Sequence, residues 1–456
     1  MSHKPLFITT YMLVIMLQGC VSFQPKPLDA ARSATDLQSR TLGDPGLRSF
    51  IATHASRMGV KGSGWGLGKL TLAALWLHPD VAVARAELAA AEAGKVVAAE
   101  RPNPVLSWSP EYNSSTSGIS PWILGFGLDV PIETAGKRHW RQEEAARKSE
   151  AARMRLADTS WQVRGRVRKA LAATQSAAET IALLEAQEKL QAETARLLNL
   201  QREGGESSPF QATQARIALT QSQLALHDAR RRAAVARTML AEAVGVPVSA
   251  LSAVTLDYAE LQAKHAVSMG QAKRAALTNR ADILAALADY AAVESTLRVE
   301  IARQYPDVHL GPGYTLDQNE NKWALGVSLE LPINRNRGHI AGAEAARELS
   351  AAKFLQVQAR ALAEIERLHA EWTGARAKSE AARKLVEEQR GQVSATERMK
   401  QTGQIGALDL VQRQLEANTS ALLQQDAETR EREALGDLED ALQAPVGLPI
   451  LPARQR

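Results

Sequence analysis

The sequence predicts a mostly α-helical rod with a small transmembrane β part, built as a tandem repeat with four strands per chain. Three observations predict it. The stretch "WILGFGLDVPI", Trp122 to Ile132, returns 201 residues later as "WALGVSLELPI", Trp323 to Ile333, each time just ahead of a long run of Ala, Glu, Arg and Leu. Proline is absent between Pro131 and Pro209 and between Pro332 and Pro445, the signature of long helices. After residue 20 no apolar run approaches the roughly 20 residues of a spanning helix, so any crossing of a membrane falls to strands.

The elements follow in chain order. Residues 1–20, "MSHKPLFITTYMLVIMLQGC", have a basic start, an apolar core and a small residue before the only cysteine, and they resemble a lipoprotein signal that leaves Cys20 lipidated. A lone cysteine also rules out an intrachain disulfide. Val21, where an aspartate often marks inner-membrane retention, points to the outer membrane. Residues 21–68 read as a periplasmic linker, including the Gly-rich "GSGWGLG" at 62–68.

A first repeat spans 69–250. It comprises a helix over 69–101 closed by Pro102 or Pro104, strands 104–112 and 122–131 around the polar "NSSTSGISP", and a long helix from Glu133 to Glu203. A reversal at 204–209 then leads to a helix over 208–243. After a linker at 251–268 the second repeat, 269–450, has strands 306–314 and 322–332, a helix over 335–402, the reversal Gly403-Gln404-Ile405-Gly406 and a helix over 407–443. Residues 451–456 form a tail.

Two offsets superpose the halves. At 202, Leu75, Asp80, Glu92, Arg101, Pro104 and Tyr112 fall on Leu277, Asp282, Glu294, Arg303, Pro306 and Tyr314; at 201, Trp122, Gly125, Leu128 and Pro131 fall on Trp323, Gly326, Leu329 and Pro332. A helix of about 70 residues is roughly 105 Å long, close to the summed lengths of the two shorter helices of its repeat. Each half therefore suits one continuous helix beside two stacked ones.

In the strands one face is apolar with aromatics, as in Leu106, Trp108, Pro110, Tyr112 or Trp323, Leu325, Val327, Leu329. The other is small or charged, as in Gly125, Gly127, Asp129 or Gly326, Ser328, Glu330. Lipid outside and water inside a barrel give this alternation, and a soluble hairpin packed on a helix gives it too. Pro110 and Pro312 read as bulges or strand ends. Four strands cannot close a barrel, and an open edge in lipid costs several kcal/mol per unpaired group. Copies must combine, and a ring of three gives twelve strands continued by a helical tube.

Other function classes find little support. The net charge of +5 is modest, and acids and bases alternate, as in "RQEEAARKSEAARMR" at 141–155, so no nucleic-acid face is expected. Arg230, Arg231 and Arg232 fit a solvated helix face. Nine scattered histidines, no phosphate loop and no arguable Ser/His/Asp set point to no enzyme, no cofactor and no resident metal.

The doubled strand–strand–long-helix plan, "ERPNPVLSW" and "DVPIETAGKR" resemble the outer-membrane factor (TolC-like) family, most closely the outer-membrane components of heavy-metal Czc/Cus-type efflux systems. The second copy, "INRNRGH", departs from that pattern. The resemblance implies a homotrimeric passive duct through outer membrane lipid and periplasm, docked by a periplasmic adaptor (membrane fusion protein) and driven by an inner-membrane RND pump. It implies a periplasmic aperture ringed by acids, which puts Asp409 of "GALDLVQRQ" at the first ring position and Gln412 at the second. It makes Gly205, Glu206, Ser207, Ser208, Gly403, Gln404, Ile405 and Gly406 the adaptor contacts. Simpler readings exist: Asp409 as an acid at a helix N-terminus, and the tips as plain turns. Asp129 and Glu330 are the lumen-facing carboxylates, which favour cations or merely hydrate the wall. Export of drugs or secreted peptides is the alternative within this class; a periplasmic coiled-coil adaptor or structural protein is the rival outside it.

Overall fold

The structure, a computed structural model, describes residues 21–55, 64–115, 117–262 and 269–444. The expected signal with Cys20 and the tail 451–456 lie outside these. Helices α1 (Ala30–Gln38) and α2 (Pro45–Ala55) precede the first repeat, which runs α3 (Leu67–Leu77), α4 (Pro79–Ala99), β1 (Val105–Tyr112), β2 (Trp122–Ile132), α5 (Lys137–Glu203) and α6 (Pro209–Val244). A short α7 (Val248–Ser252) leads to the second repeat, in which the order returns as α8 (Met269–Asn279), α9 (Ala281–Ala302), β3 (Val308–Asp317), β4 (Glu320–Leu329), α10 (Arg337–Gln401) and α11 (Ala407–Leu442).

Three expectations need correction. The helix expected over 69–101 is two helices, because Pro79 cannot continue α3; it takes the first position of α4 instead, where His78 Nδ1 accepts the Asp80 N–H at 3.1 Å. The linker expected at 21–68 carries two helices and places Leu42 and Leu47 in the core. The second hairpin is shifted toward its turn: Gln318 and Asn319, at φ +51° and +68°, make a two-residue turn that lets pairing run up to Asp317 and Glu320. Its other end stops at Leu329 because the next inward partner of Leu331 would be Pro306, which has no N–H.

Helix α5, 67 residues and roughly 100 Å long, is the spine of the chain. Its upper part packs on α4 and α9 and its lower part on α6 and α11, while α10 packs on α9 above and α11 below. The result is a curved wall, ordered α4, α5, α9, α10 near the sheet and α6, α5, α11, α10 toward the tips. Helix α6 shows how the rods pack: its buried stripe of Ala212, Ala215, Ser222, Leu226, Ala229, Ala236 and Leu240 falls at spacings of three, four and seven residues, one helix face, and is mostly small. The main core sits at mid-height, where Val163, Val167 and Leu171 of α5 meet Leu70, Leu240, Leu251, Leu42 and Leu47.

At the same height the seam between the repeats is ionic. Arg168 of α5 is buried against Glu439 of α11 at 3.3 Å, and its guanidinium lies over Gly436, where any Cβ would collide with it. In the same way Asp440 lies over Gly165. Burial pushes the Asp440 carboxyl up to about 6, although Arg164 and Arg168 pull it the other way.

Candidate functional site

The sheet is a single antiparallel meander, β1-β2-β3-β4, with continuous registers. Pro110 and Pro312 are neither bulges nor ends. Pro110 lies inside an edge strand, opposite Leu124. At Pro312 pairing with β2 lapses for two rows and resumes in the same register at Val130 and Leu310, as a missing N–H requires.

That register aligns the side chains into rows. Trp108, Phe126, Tyr314 and Trp323 are successive partners across all four strands, and Tyr112 faces Trp122 with ring centroids 5.0 Å apart. Below them the same face carries Leu106, Leu128 and Leu325, then Val130, Leu310 and Val327. No described residue covers it: Trp323 is 81% and Leu325 71% exposed. A soluble hairpin would bury such a face. The opposite face is small because it is tight; a Cβ on Gly125 or Gly127 would come within 2.7 Å of Ser109 Oγ or Ser107 Oγ. The outer edges of β1 and β4 have no partner strand among the described residues.

The strands pass into the long helices through two elbows with the same left-handed backbone, Ala135-Gly136 (φ +54° and +71°) and Arg335-Asn336 (φ +44° and +53°). The first is tied to the second repeat. Thr134 donates its N–H to Asp307 at 2.9 Å and its hydroxyl to the Pro306 carbonyl at 2.6 Å, and Lys137 Nζ reaches Asp307 at 2.8 Å. The second elbow has Asn336 donating to the Glu300 carbonyl at 2.8 Å, and it borders an open cleft of about 1240 Å³. Of the expected lumen carboxylates, Asp129 is bonded to His309 Nδ1 at 3.0 Å. Glu330 falls just past the end of β4 and is exposed in that cleft. Among the described residues no group of three or more His, Cys, Asp and Glu is placed to hold a metal.

Both tips reverse by one device. Gly205 and Gly403 take φ of +78° and +75°, and the residue after each returns its N–H to the last helical turn, Glu206 to Gln201 at 2.7 Å and Gln404 to Met399 at 2.9 Å. Ser207 Oγ donates to the Leu198 carbonyl at 2.9 Å, and Ser208 with Gln211 forms a capping box that starts α6. At the second tip Gly406 begins α11, Ile405 is half-buried, and Asp409 Oδ2 accepts the Gly406 N–H at 3.0 Å. Asp409 is thus a cap by geometry, and its carboxylate remains exposed, as does Gln412 one turn on. The sequence reading missed the ionic seam; its only signal was a glycine inside each of two long helices, Gly165 and Gly436.

Comparison with known proteins follows this geometry. The sequence profile of the family described as "Outer membrane efflux protein" matches residues 71–246 and again 273–443. The cobalt-zinc-cadmium resistance protein CzcC of Cupriavidus metallidurans is 27% identical over 264 residues, 57% of this chain; the match spans 62% of CzcC, less than two thirds of its length. Among solved structures, the outer membrane protein VceC of Vibrio cholerae superposes with a TM-score of 0.68 at 19% identity, covering 84% of this chain and 96% of VceC. CusC, whose structures concern folding and transmembrane channel formation, gives 0.65 at 18%, covering 84% and 94%. At these identities the structural likeness is one of fold. The two profile matches, which together take in most of the chain, fall one on each repeat of the doubled helix–strand–strand–helix plan, and the chain belongs to the outer membrane efflux protein family.

Proposed function

We propose that three copies of this chain form the passive exit duct of a tripartite efflux pump that carries heavy-metal cations out of the cell. The observation that carries this is the open four-stranded sheet: no residue of its apolar face is buried, its two edges are unpaired among the described residues, and it runs directly into helices about 100 Å long. Three sheets edge to edge give twelve strands, enough to close, and their helices continue the ring as a tube. Among the described residues no helix is long and apolar enough to cross a membrane, so the strands do the spanning. The duct itself performs no chemistry, and its family is one of channels rather than enzymes.

The finer assignments extend this reading. Tyr112 and Trp122 at the turn end of the first hairpin, with the aromatic row beneath them, set the outer interface, which directs the helices into the periplasm. Lipid on Cys20 adds a second anchor in the outer membrane. Asp409 from three copies rings the periplasmic aperture, with Gln412 behind it as a neutral position. The tips at 205–208 and 403–406 are the surfaces for a periplasmic adaptor that links the duct to an inner-membrane RND pump. Asp129 and Glu330 place carboxylates on the lumen side for passing cations. Similarity to CzcC supports metal as the cargo. Drug efflux or peptide secretion is separated from metal export by growth of a deletion strain on cobalt, zinc and cadmium salts against a panel of drugs.

Planar-bilayer recording tests the gate. The purified protein is expected to give a low resting conductance, and Asp409→Ala to raise it or to weaken cation selectivity. Unchanged traces would remove Asp409 from the aperture.

A further inference from the structure

The charge of this chain is unevenly placed. Residues 21–69 hold seven lysines and arginines against three aspartates and no glutamate, whereas residues 70–456 hold 47 of each sign. Beyond the expected signal, the whole net positive charge therefore falls in the segment that precedes the first family match. That segment lies at mid-height: Leu42, Leu47 and Ile51 pack with Val163, Val167 and Leu171, which bracket the midpoint of α5.

Two of the belt's three aspartates are helix caps, and Lys26, Arg32 and Arg48 are exposed. Asp29 caps α1, accepting the Ala31 N–H at 2.9 Å, and Asp44 caps α2, accepting the Leu47 N–H at 2.9 Å. Arg32 and Arg48 are exposed and form no ion pair with any described residue. Elsewhere many arginines are paired, as Arg147 is with Glu143 and Glu150, and Arg383 with Glu428 and Glu431. Between α2 and α7 lies a cleft of about 700 Å³ whose apolar floor includes Ile51, Trp65 and Val254 and whose cations are Arg40, Arg48 and Lys69; no carboxylate lines it. Two acids of the segment that follows α7 are turned to backbone, Glu260 to the Gly68 N–H at 2.9 Å and Asp257 to the Ala259 N–H at 3.0 Å.

We propose that this belt docks the tube onto a carboxylate-bearing polymer that surrounds it in the periplasm, the peptidoglycan mesh. The inference rests on the outer-membrane duct reading, which sets the belt's depth. Helix α4, 21 residues and roughly 32 Å long, separates it from the strands. Lipid headgroups are out of reach at that depth. A threefold collar of unpaired guanidinium groups meets a fixed array of carboxylates there, and many weak contacts add by multivalency. Arg40 keeps a structural task, donating to the Leu77 and Gly245 carbonyls at 2.8 and 3.0 Å, so the docking falls to Arg32 and Arg48.

The test is co-sedimentation of the full-length, detergent-solubilised protein with purified sacculi. The wild type is expected to pellet with them at about 50 mM salt and to lose about tenfold in bound fraction by about 300 mM. Arg32→Glu/Arg48→Glu is expected to lower binding at least as far, with helix content unchanged by circular dichroism. Arg231→Glu/Arg232→Glu makes the same charge change on α6 and is expected to bind as the wild type does. Sacculi whose carboxyls have been amidated should not retain the protein. Equal binding by the belt variant, equal loss in the α6 control, or retention on amidated sacculi each overturns the proposal. So does a belt variant that still binds sacculi and instead loses a crosslink to a periplasmic protein. Failure here with bilayer conductance intact leaves the duct reading standing.

Discussion

Asp440→Asn tests the ionic seam. The Asp440 carboxyl, held at about 6 in the fold against roughly 4 in an unfolded chain, corresponds to up to about 3 kcal/mol favouring its protonated form. Its side chain is 31% exposed, and screening brings the usable figure to about 1–2 kcal/mol. The sign follows from linkage. The folded state holds this proton more tightly than the unfolded one, so the contribution is complete below about pH 4 and is lost as pH rises through about 6. Asparagine keeps the shape and removes the titration. Guanidinium unfolding of the detergent-solubilised protein, followed by helix circular dichroism, should show the variant gaining about 1–2 kcal/mol over wild type at pH 7.5, with the difference about halved at pH 5 and gone below about pH 4. Equal destabilisation at both pH values would refute the reasoning. It would mean that the charged carboxylate, 3.6 Å from Arg164 Nη1, repays its own desolvation.

Three further outcomes are expected. Val327→Arg puts a cation on the lipid face and should cost about 2–4 kcal/mol of membrane-inserted stability, read as loss of the assembled band in mild detergent, whereas Ala324→Arg on the small face should assemble. The His78 imidazole is held below its ordinary value, first by burial and then by Arg166, while its Nδ1 caps α4. The unfolded chain therefore takes that proton first, and stability should fall as pH drops below about 6.5, a slope that His78→Asn should flatten in the same unfolding assay. Cys20→Ser should abolish palmitate labelling in growing cells; continued labelling would refute the lipid anchor.

Much of the architecture was legible because it repeats. The duplicated strand motif, the glycine-centred tips and the proline-free helices each appear twice, so an error in one copy is checked by the other. Alternation along Trp323–Leu329 fixed which face is apolar without knowledge of register. The misreadings arose where local signals compete. Pro79 is a helix breaker in a helix interior and a good first residue at a start, and only the packing of α3 against the mid-height core decides which. Gln318 and Asn319 look like part of a long polar loop, yet two left-handed residues suffice to turn the hairpin. The ionic seam was invisible for another reason: Arg164, Arg168, Glu439 and Asp440 are ordinary residues for a solvated helix. That α5 and α11 pack against each other, with glycine admitting a guanidinium on one side and a carboxylate on the other, is a property of the fold and of no single segment.

The two elbows differ in a way that a closed ring demands. The first elbow finds its partners inside the chain, in Pro306 and Asp307 at the start of β3, and it carries the residues that fit them: a threonine with two donors and a lysine for the carboxylate. The second elbow, were the ring to close, would meet the start of β1 in another copy, where Pro104 and Val105 stand in place of Pro306 and Asp307. Valine offers no carboxylate, so the contacts that Thr134 and Lys137 make to Asp307 have no counterpart there. The sequence at that point is "NRNRGH", with Asn334 where the first elbow has Thr134, Arg337 where it has Lys137, and Asn336 in the place of Gly136 donating to the Glu300 carbonyl. The repeats therefore differ at the junction that a closed ring would place within a chain in one repeat and between chains in the other. Identical elbows would suit a single chain that closes on itself, and this chain has too few strands to do so.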